Sequence, residues 1–312
     1  MLYFEGFVVS SSFESCNTNM MMMILMLLMI LVRHVESVRV GTLANHNPDA
    51  WKSGCGDTGS LERITCNLNV YGRAISKAKS KDVDLLVLPE AYGLSSKPTK
   101  DGYFEPYDPV HLMASTPCTM SESSYLITKT LSCLARNHSI ALATNIFTEL
   151  NNGTRRITEV VFDSTGMVIA VYDKHHLFFI EEPSIFKPGP YNPTSFIYEN
   201  ITFGLAICYE GFYPYLTNDF SQFEALKRLN VTTLLWSVGG SAVSSALDED
   251  AKSLSKKFEF NVFACEDSEL LKTPSVALYD ESGHEMKYSD SSVIDLSDLE
   301  YTGSVFIRSA EI

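Results

Sequence analysis

Three side chains able to do chemistry follow short apolar runs: Glu90 after "LLVLP", Lys174 after "MVIAVYD" and Cys208 after "FGLAI". Each alone has a bland reading. A cysteine at a strand end is usually a small buried hydrophobe, a lysine there a solvated edge charge, and a glutamate in a turn a solvent-facing one. Together they supply what hydrolysis of an amide by a thiol requires. The thiol, with an ordinary pKa of about 8.5, must lose its proton to attack. A carboxylate can take that proton and hand it to the leaving amine, while a fixed ammonium can stabilise the tetrahedral oxyanion.

Strands and crossover helices must position these groups. "VRVGTLA" (38–44), "VDLLVLPE" and "IALATNI" read as strands. Between the first two, Leu61, Ile64, Leu68, Tyr71, Ile75 and Ala78 repeat at spacings of three and four, the stripe of a helix of about five turns. A second helix is expected over 121–136 with Ser121 as its cap, and others near 217–229 and 242–258. Asp163-Ser164-Thr165-Gly166 joins two apolar runs as a hairpin, and Asp280-Glu281-Ser282-Gly283 repeats the signal. Later runs "FGLAI", "TTLLWSV", "NVFAC" and "SVALY" alternate with helical patterns. The expectation is an α/β or α+β domain of two sheets with helices outside, ligands being met at strand ends.

The segments "LLVLPEAYG", "VYDKHHLF" and "GLAICYEGFYP" resemble, in order, the three motif blocks of the nitrilase superfamily of carbon–nitrogen hydrolases. Within it the chain is most similar to the vanin and biotinidase branch, through "LSCLARNHSIALATNIF", "VVFDSTGMVIAVYDKHHLF" and "NITFG". The resemblance implies an α-β-β-α sandwich, often paired as a homodimer, working without cofactor or metal. It implies Glu90 as general base and acid, Lys174 as oxyanion stabiliser and Cys208 as the nucleophile that forms a thioester. The Tyr209 N–H would be a second oxyanion donor. A further glutamate after the lysine would hold it, Glu181 by best spacing and Glu182 as fallback. Glu210 and Phe212 would lie near the substrate pocket. The branch has Asp where this chain has Glu210, and Asp where it has Ala91. It also adds a C-terminal β-rich domain, expected to be absent here.

Residues 20–32 form an unbroken apolar run, shorter than the roughly 20 residues of a membrane span and within the roughly 7–15 of a signal-peptide core. The expected cleavage leaves Val38 as first mature residue, with 1–37 removed and 38–312 as the hydrolase domain. Four Asn-x-Ser/Thr sequons, at Asn137, Asn152, Asn200 and Asn230, agree with export and predict glycosylation. In an exported chain Cys55 with Cys66 and Cys118 with Cys133 are the sequence-near disulfide candidates, which leaves at least two cysteines over, Cys208 among them.

The net charge of −14 argues against nucleic acid as partner. His175 and His176 would point to opposite faces if they lay on a strand, and no further ligand stands at a zinc-binding offset. No G-x-S-x-G, G-x-G-x-x-G or phosphate-binding loop occurs. The sequence thus predicts a secreted amidohydrolase that cleaves a linear amide in a small molecule. Pantetheine is the first substrate expected and biotinyl amides the second, both from the resemblance. The alternative is a secreted protein of the same fold that binds without hydrolysing.

Overall fold

Period-two alternation along the strands decides the layers. Val40, Leu85, Val87, Ala143 and Val161 share one core with Phe203, Leu205, Leu234 and Trp236. Their neighbours Leu43, Leu86, Leu142 and Val160 share a second core with the helical residues Ile64, Tyr71, Ile75 and Leu131. A strand apolar on both faces is one covered on both sides.

The computed structural model describes residues 37–44, 49–50, 54–95, 100–121, 125–179, 182–239, 244–267, 276–287, 289–294, 296, 299 and 305–312. The apolar run over 20–32 lies outside them, and among the described residues no helix is long and apolar enough to cross a membrane. Residues Val38–Ile312 form one compact unit.

In chain order the strands are β1 (Arg39–Ala44), β2 (Leu85–Val87), β3 (Glu105–Tyr107), β4 (Ala141–Leu150), β5 (Arg155–Phe162), β6 (Val168–Asp173), β7 (Ser195–Tyr198), β8 (Ile201–Ile207), β9 (Thr233–Gly239), β10 (Asn261–Asp267), β11 (Val276–Tyr279), β12 (Ser289–Val293) and β13 (Phe306–Glu311). One sheet runs β12-β13-β1-β2-β4-β5-β6 with β3 on the far end of β4, and the other runs β11-β10-β9-β8-β7. The centre of each is parallel, β1 with β2 and β4, β8 with β9 and β10. Parallel neighbours need crossovers. Helix α1 (Leu61–Lys79) joins β1 to β2 and α2 (Leu126–His138) precedes β4. Helices α3 (Tyr209–Thr217) and α4 (Ser221–Arg228) join β8 to β9, and α5 (Ser244–Phe258) joins β9 to β10. Helices α1 and α2 cover one sheet, while Phe223 and Leu226 of α4 and Leu247 and Leu254 of α5 pack on the other. The result is the α-β-β-α sandwich the sequence predicts.

Two disulfides, Cys55–Cys66 and Cys118–Cys133, tie loops to α1 and α2. Helix α1 is capped as expected of a serine before an apolar stripe: Ser60 Oγ accepts from Arg63 N at 3.1 Å. The cap of α2 differs from expectation. The helix begins at Leu126, not near Ser121, and the carboxylate of Glu105 on β3 accepts from Ile127 N (2.6 Å) and Thr128 N (2.7 Å). A buried carboxylate satisfies two otherwise unpaired N–H groups at the positive end of the helix, which a hydroxyl at 121 does not reach.

Candidate active site

Three chain segments bring the reactive groups to the line where the two sheets face each other. Beyond β2, the N–H of Glu90 donates to Val238 O of β9 at 3.3 Å, a bond from one sheet to the other. Lys174 continues the inward face of β6, in step with Ala170 and Tyr172 in the shared core. After β8, the N–H of Cys208 donates to Ser237 O at 2.7 Å, and Cys208 becomes the N-cap of α3.

The backbone at Cys208 has φ 45° and ψ −109°, which residues with a side chain rarely adopt. What holds it is Trp236: its Nε1 donates to Cys208 O at 2.9 Å. The indole lies so close to α3 that a Cβ at Gly211 would stand 2.1 Å from a ring carbon. Only glycine allows this approach.

Lys174 Nζ donates to Glu90 Oε1 at 2.7 Å and to Glu182 Oε1 at 2.8 Å, all three side chains being buried. The other oxygen of Glu182 accepts from Phe178 N at 2.8 Å, which pins the turn after β6. The other oxygen of Glu90, Oε2, makes no hydrogen bond of ordinary length.

Burial pushes the Glu90 carboxyl up to about 7, against the pull of Lys174. Burial also pushes the Cys208 thiol well above its usual value, helped by the charges of Glu90 and Glu182 and opposed by Lys174. For Lys174 burial works against the ammonium, but Glu90, Cys208 and Glu182 together hold it well above the usual lysine range. Near neutral pH the site thus holds a protonated thiol, a Glu90 carboxyl that titrates close to the working pH and a charged ammonium. That is the state a general base and an oxyanion stabiliser require.

Tyr209 is the first residue of α3, where a backbone N–H has no partner within the helix. Its ring stands among Phe178 (5.5 Å between centroids), Phe179 (5.3 Å) and Tyr213 (5.8 Å), an aromatic wall next along the chain from Cys208. Phe178, Phe179 and Tyr213 lie within the quoted motif neighbourhoods but show no helical or strand period that marks them.

Four expectations need correction or relocation. Glu181 lies outside the described residues, and the carboxylate on Lys174 is that of Glu182, because Glu182–Ser184 forms a 3-10 turn that faces its first residue inward. Glu210 is not free to meet substrate. Its Oε1 accepts from Tyr172 Oη (2.6 Å), His175 N (2.8 Å) and His176 N (3.2 Å), and its Oε2 from Ile207 N (2.9 Å). The glutamate latches the lysine turn to the cysteine turn. Phe212 packs on Trp236 with centroids 4.8 Å apart and is core, not pocket. The His175 and His176 rings sit edge to face at 4.7 Å rather than on opposite faces, because they follow β6 instead of continuing it. Among the described residues no group of His, Cys, Asp and Glu is arranged to hold a metal ion.

The model of the carbon–nitrogen hydrolase family matches residues 60–225, more than half of the chain, so the chain belongs to that family. Hydrolase C26A3.11 of Schizosaccharomyces pombe is 28% identical over 191 residues, 59% of this chain and 55% of that protein. Vanin-like protein 2 of Drosophila melanogaster is 28% identical over 177 residues, 52% of this chain and 33% of that protein. The chain thus matches about half, or less, of the length of these relatives. An amidase from Nesterenkonia sp. shares the fold, with a TM-score of 0.61, 16% identity and coverage of 88% of this chain and 90% of that one. The resemblance to the carbon–nitrogen hydrolases is borne out, and vanin-like proteins are among the relatives the chain is similar to.

Buried carboxyls also make stability depend on pH. Burial raises Glu90 and Glu105 to about 7 and Glu159 to about 8, from 4.5. A carboxyl whose folded value is raised gives stability that is complete below its unfolded value and lost as pH rises through the folded one. His176, lowered by burial, opposes this by disfavouring the fold below its unfolded value. Three raised groups outweigh one partly buried histidine, so the melting temperature is expected to be highest near pH 5 and to fall steadily by pH 8.5. Thermal unfolding across that range checks this; a flat or rising profile contradicts it.

Proposed function

We propose that the chain hydrolyses a linear amide of a small molecule through a thioester on Cys208. The observation that carries this reading is the buried contact of Lys174 with Glu90 and Glu182 beside Cys208, with one oxygen of Glu90 left unbonded. Glu90 takes the thiol proton as sulfur attacks the carbonyl carbon, and the carbonyl electrons move to oxygen, held by Lys174 and the Tyr209 N–H. The intermediate collapses, the C–N bond breaks, and Glu90 returns the proton to the departing amine. Glu90 then takes a proton from water as it attacks the thioester, and the acid leaves with the thiol restored. A variant of the Nesterenkonia amidase carries the acetamide moiety of fluoroacetamide at its active-site cysteine, consistent with such a covalent step.

The aromatic wall of Phe178, Phe179, Tyr209 and Tyr213 favours an apolar chain on one side of the amide. Pantetheine-like and then biotinyl amides are the substrates to try first, on the strength of the vanin-like relatives. Export is part of the same proposal. The four sequon asparagines are exposed and the two disulfides suit an oxidising compartment. The rival reading, binding without hydrolysis, finds no support in a site whose catalytic carboxyl, ammonium and thiol are all present.

A single experiment tests the set. Protein recovered from the medium of a secreting eukaryotic host is treated with an electrophilic thiol probe and mapped by peptide mass. Cys208 is expected to carry at least ten times the label of Cys265, which is buried in β10, and glycan mass is expected on peptides holding Asn137, Asn152, Asn200 and Asn230. Equal labelling of the two cysteines sinks the catalytic reading, and unmodified asparagines or no secretion sink the export reading.

A further inference from the structure

Glu159 lies on the inner face of β5 between Ile157 and Val161, where an apolar residue is expected, and is only 1% exposed. Its Oε2 accepts from Asn145 Nδ2 at 3.0 Å, and Asn145 Oδ1 accepts in turn from Ala91 N at 3.0 Å, the residue after Glu90. Its Oε1 is 3.0 Å from Ser237 Oγ, and Ser237 O accepts the N–H of Cys208 at 2.7 Å. One carboxyl thus stands at the junction of two short chains of hydrogen bonds, one ending at the base and the other at the nucleophile.

Resting on the amidohydrolase reading above, we propose that Glu159 is a positioning residue for this reaction, tying the Glu90 turn to the Cys208 turn and setting the alkaline limit of the site. A buried polar group with both oxygens bonded rigidifies what it joins. The titratable groups that act on it are Glu90 beyond β2 and Glu210 in α3, both of which disfavour its charge, with Tyr172 its register partner on β6. Lys174 and Cys208 in turn act on Glu90. Burial raises Glu159 to about 8, so at neutral pH it is a neutral acid. Above that value it places a second negative charge close to Glu90. That charge opposes thiolate formation at Cys208 and the oxyanion alike.

The test follows alkylation of Cys208 by iodoacetamide against pH, for the wild type, Glu159→Gln and Glu159→Ala, with labelling located by peptide mass. Glu159→Gln keeps a neutral group of the same shape and removes the ionisation. Its alkylation rate is expected within about twofold of wild type at pH 6.5 and about tenfold faster at pH 9, the factor for one unit of thiol pKa. Glu159→Ala, which takes the carboxyl from Asn145 Nδ2 and Ser237 Oγ, is expected to be at least about tenfold slower at both pH values. A Glu159→Gln to wild-type ratio that does not change with pH overturns the proposal, even where Glu159→Ala fails to fold. So does a folded Glu159→Ala that reacts as fast as wild type. Because alkylation needs no amide turnover, these outcomes stand apart from the parent reading, which fails instead if Cys208→Ala still releases amine from a pantetheine or biotinyl amide.

Discussion

Glu90→Gln is expected to lose about 10²- to 10⁴-fold in kcat for amide hydrolysis, the range for removing a general acid–base, while the protein stays folded. Glutamine fills the same volume, and its carbonyl oxygen can still accept from Lys174 in place of Glu90 Oε1. What it cannot do is take the proton of a thiol that burial has pushed well above its usual pKa. In the proposed mechanism the deficit belongs to both halves of the reaction, since the same carboxyl would serve attack by sulfur and attack by water. Steady-state rates of amine release, with melting temperature as the folding control, decide it. The variant should also resist unfolding at pH 8 at least as well as wild type, because a buried carboxyl raised to about 7 costs stability there. Unchanged kcat excludes Glu90 as base. Lost activity in a protein that melts far below wild type assigns it to the fold instead.

The candidate groups Glu90, Lys174 and Cys208 were legible because each follows an apolar run that alternates or ends cleanly: "LLVLP", "MVIAVYD", "FGLAI". Groups whose role depends on a contact far along the chain were not. Glu105 caps α2 from 22 residues away, and no local pattern carries such a contact, so Ser121 stood in for it. The choice between Glu181 and Glu182 turns on the phase of one 3-10 turn, which spacing does not specify. Glu210 reads as a pocket residue because it stands two residues after Cys208; its bonds to the N–H groups of His175 and His176 join segments far apart in the chain, which no local pattern carries. Helix α3 went unread because "YEGFYPYLT" has Pro214 inside it and aromatics on several faces. The closing strands β12 and β13 carry "SDSSV" and "FIRSAE", in which serines stand where apolar residues mark a strand, and the pairing of β13 with β1 is what makes them strands. Glu159 did leave a sign, a carboxyl at the inward position between Ile157 and Val161 of the run "ITEVVF". A charge at an inward strand position is expensive unless it is neutralised or bonded, and that cost is a pointer to function.

Lys174→Met is expected to lower stability more than any other single change at the site. The lysine is the counter-charge to two buried carboxylates, at 2.7 Å from Glu90 and 2.8 Å from Glu182. Methionine is unbranched, apolar and only one heavy atom shorter, so most packing is kept and the electrostatic loss largely isolated. Removing one partner of a buried ion pair costs about 3–5 kcal/mol, because the remaining charge is left without compensation. For a domain of this size each kcal/mol moves the melting temperature by roughly 2–4 °C, so a fall on the order of 10 °C is expected at pH 8. The pH dependence separates this cause from a packing defect. Without Lys174 the buried Glu90 carboxyl loses the ammonium that lowers its pKa, the folded state then binds a proton the unfolded state has released, and stability drops as pH climbs above the unfolded carboxyl range. Below that range Glu90 is protonated in either state and the penalty largely disappears. The deficit relative to wild type should therefore be small near pH 4.5 and widen steadily to pH 8. An equal deficit at both pH values would assign the loss to packing, and no deficit at either would mean that the Glu90–Lys174–Glu182 contact does not exist in solution.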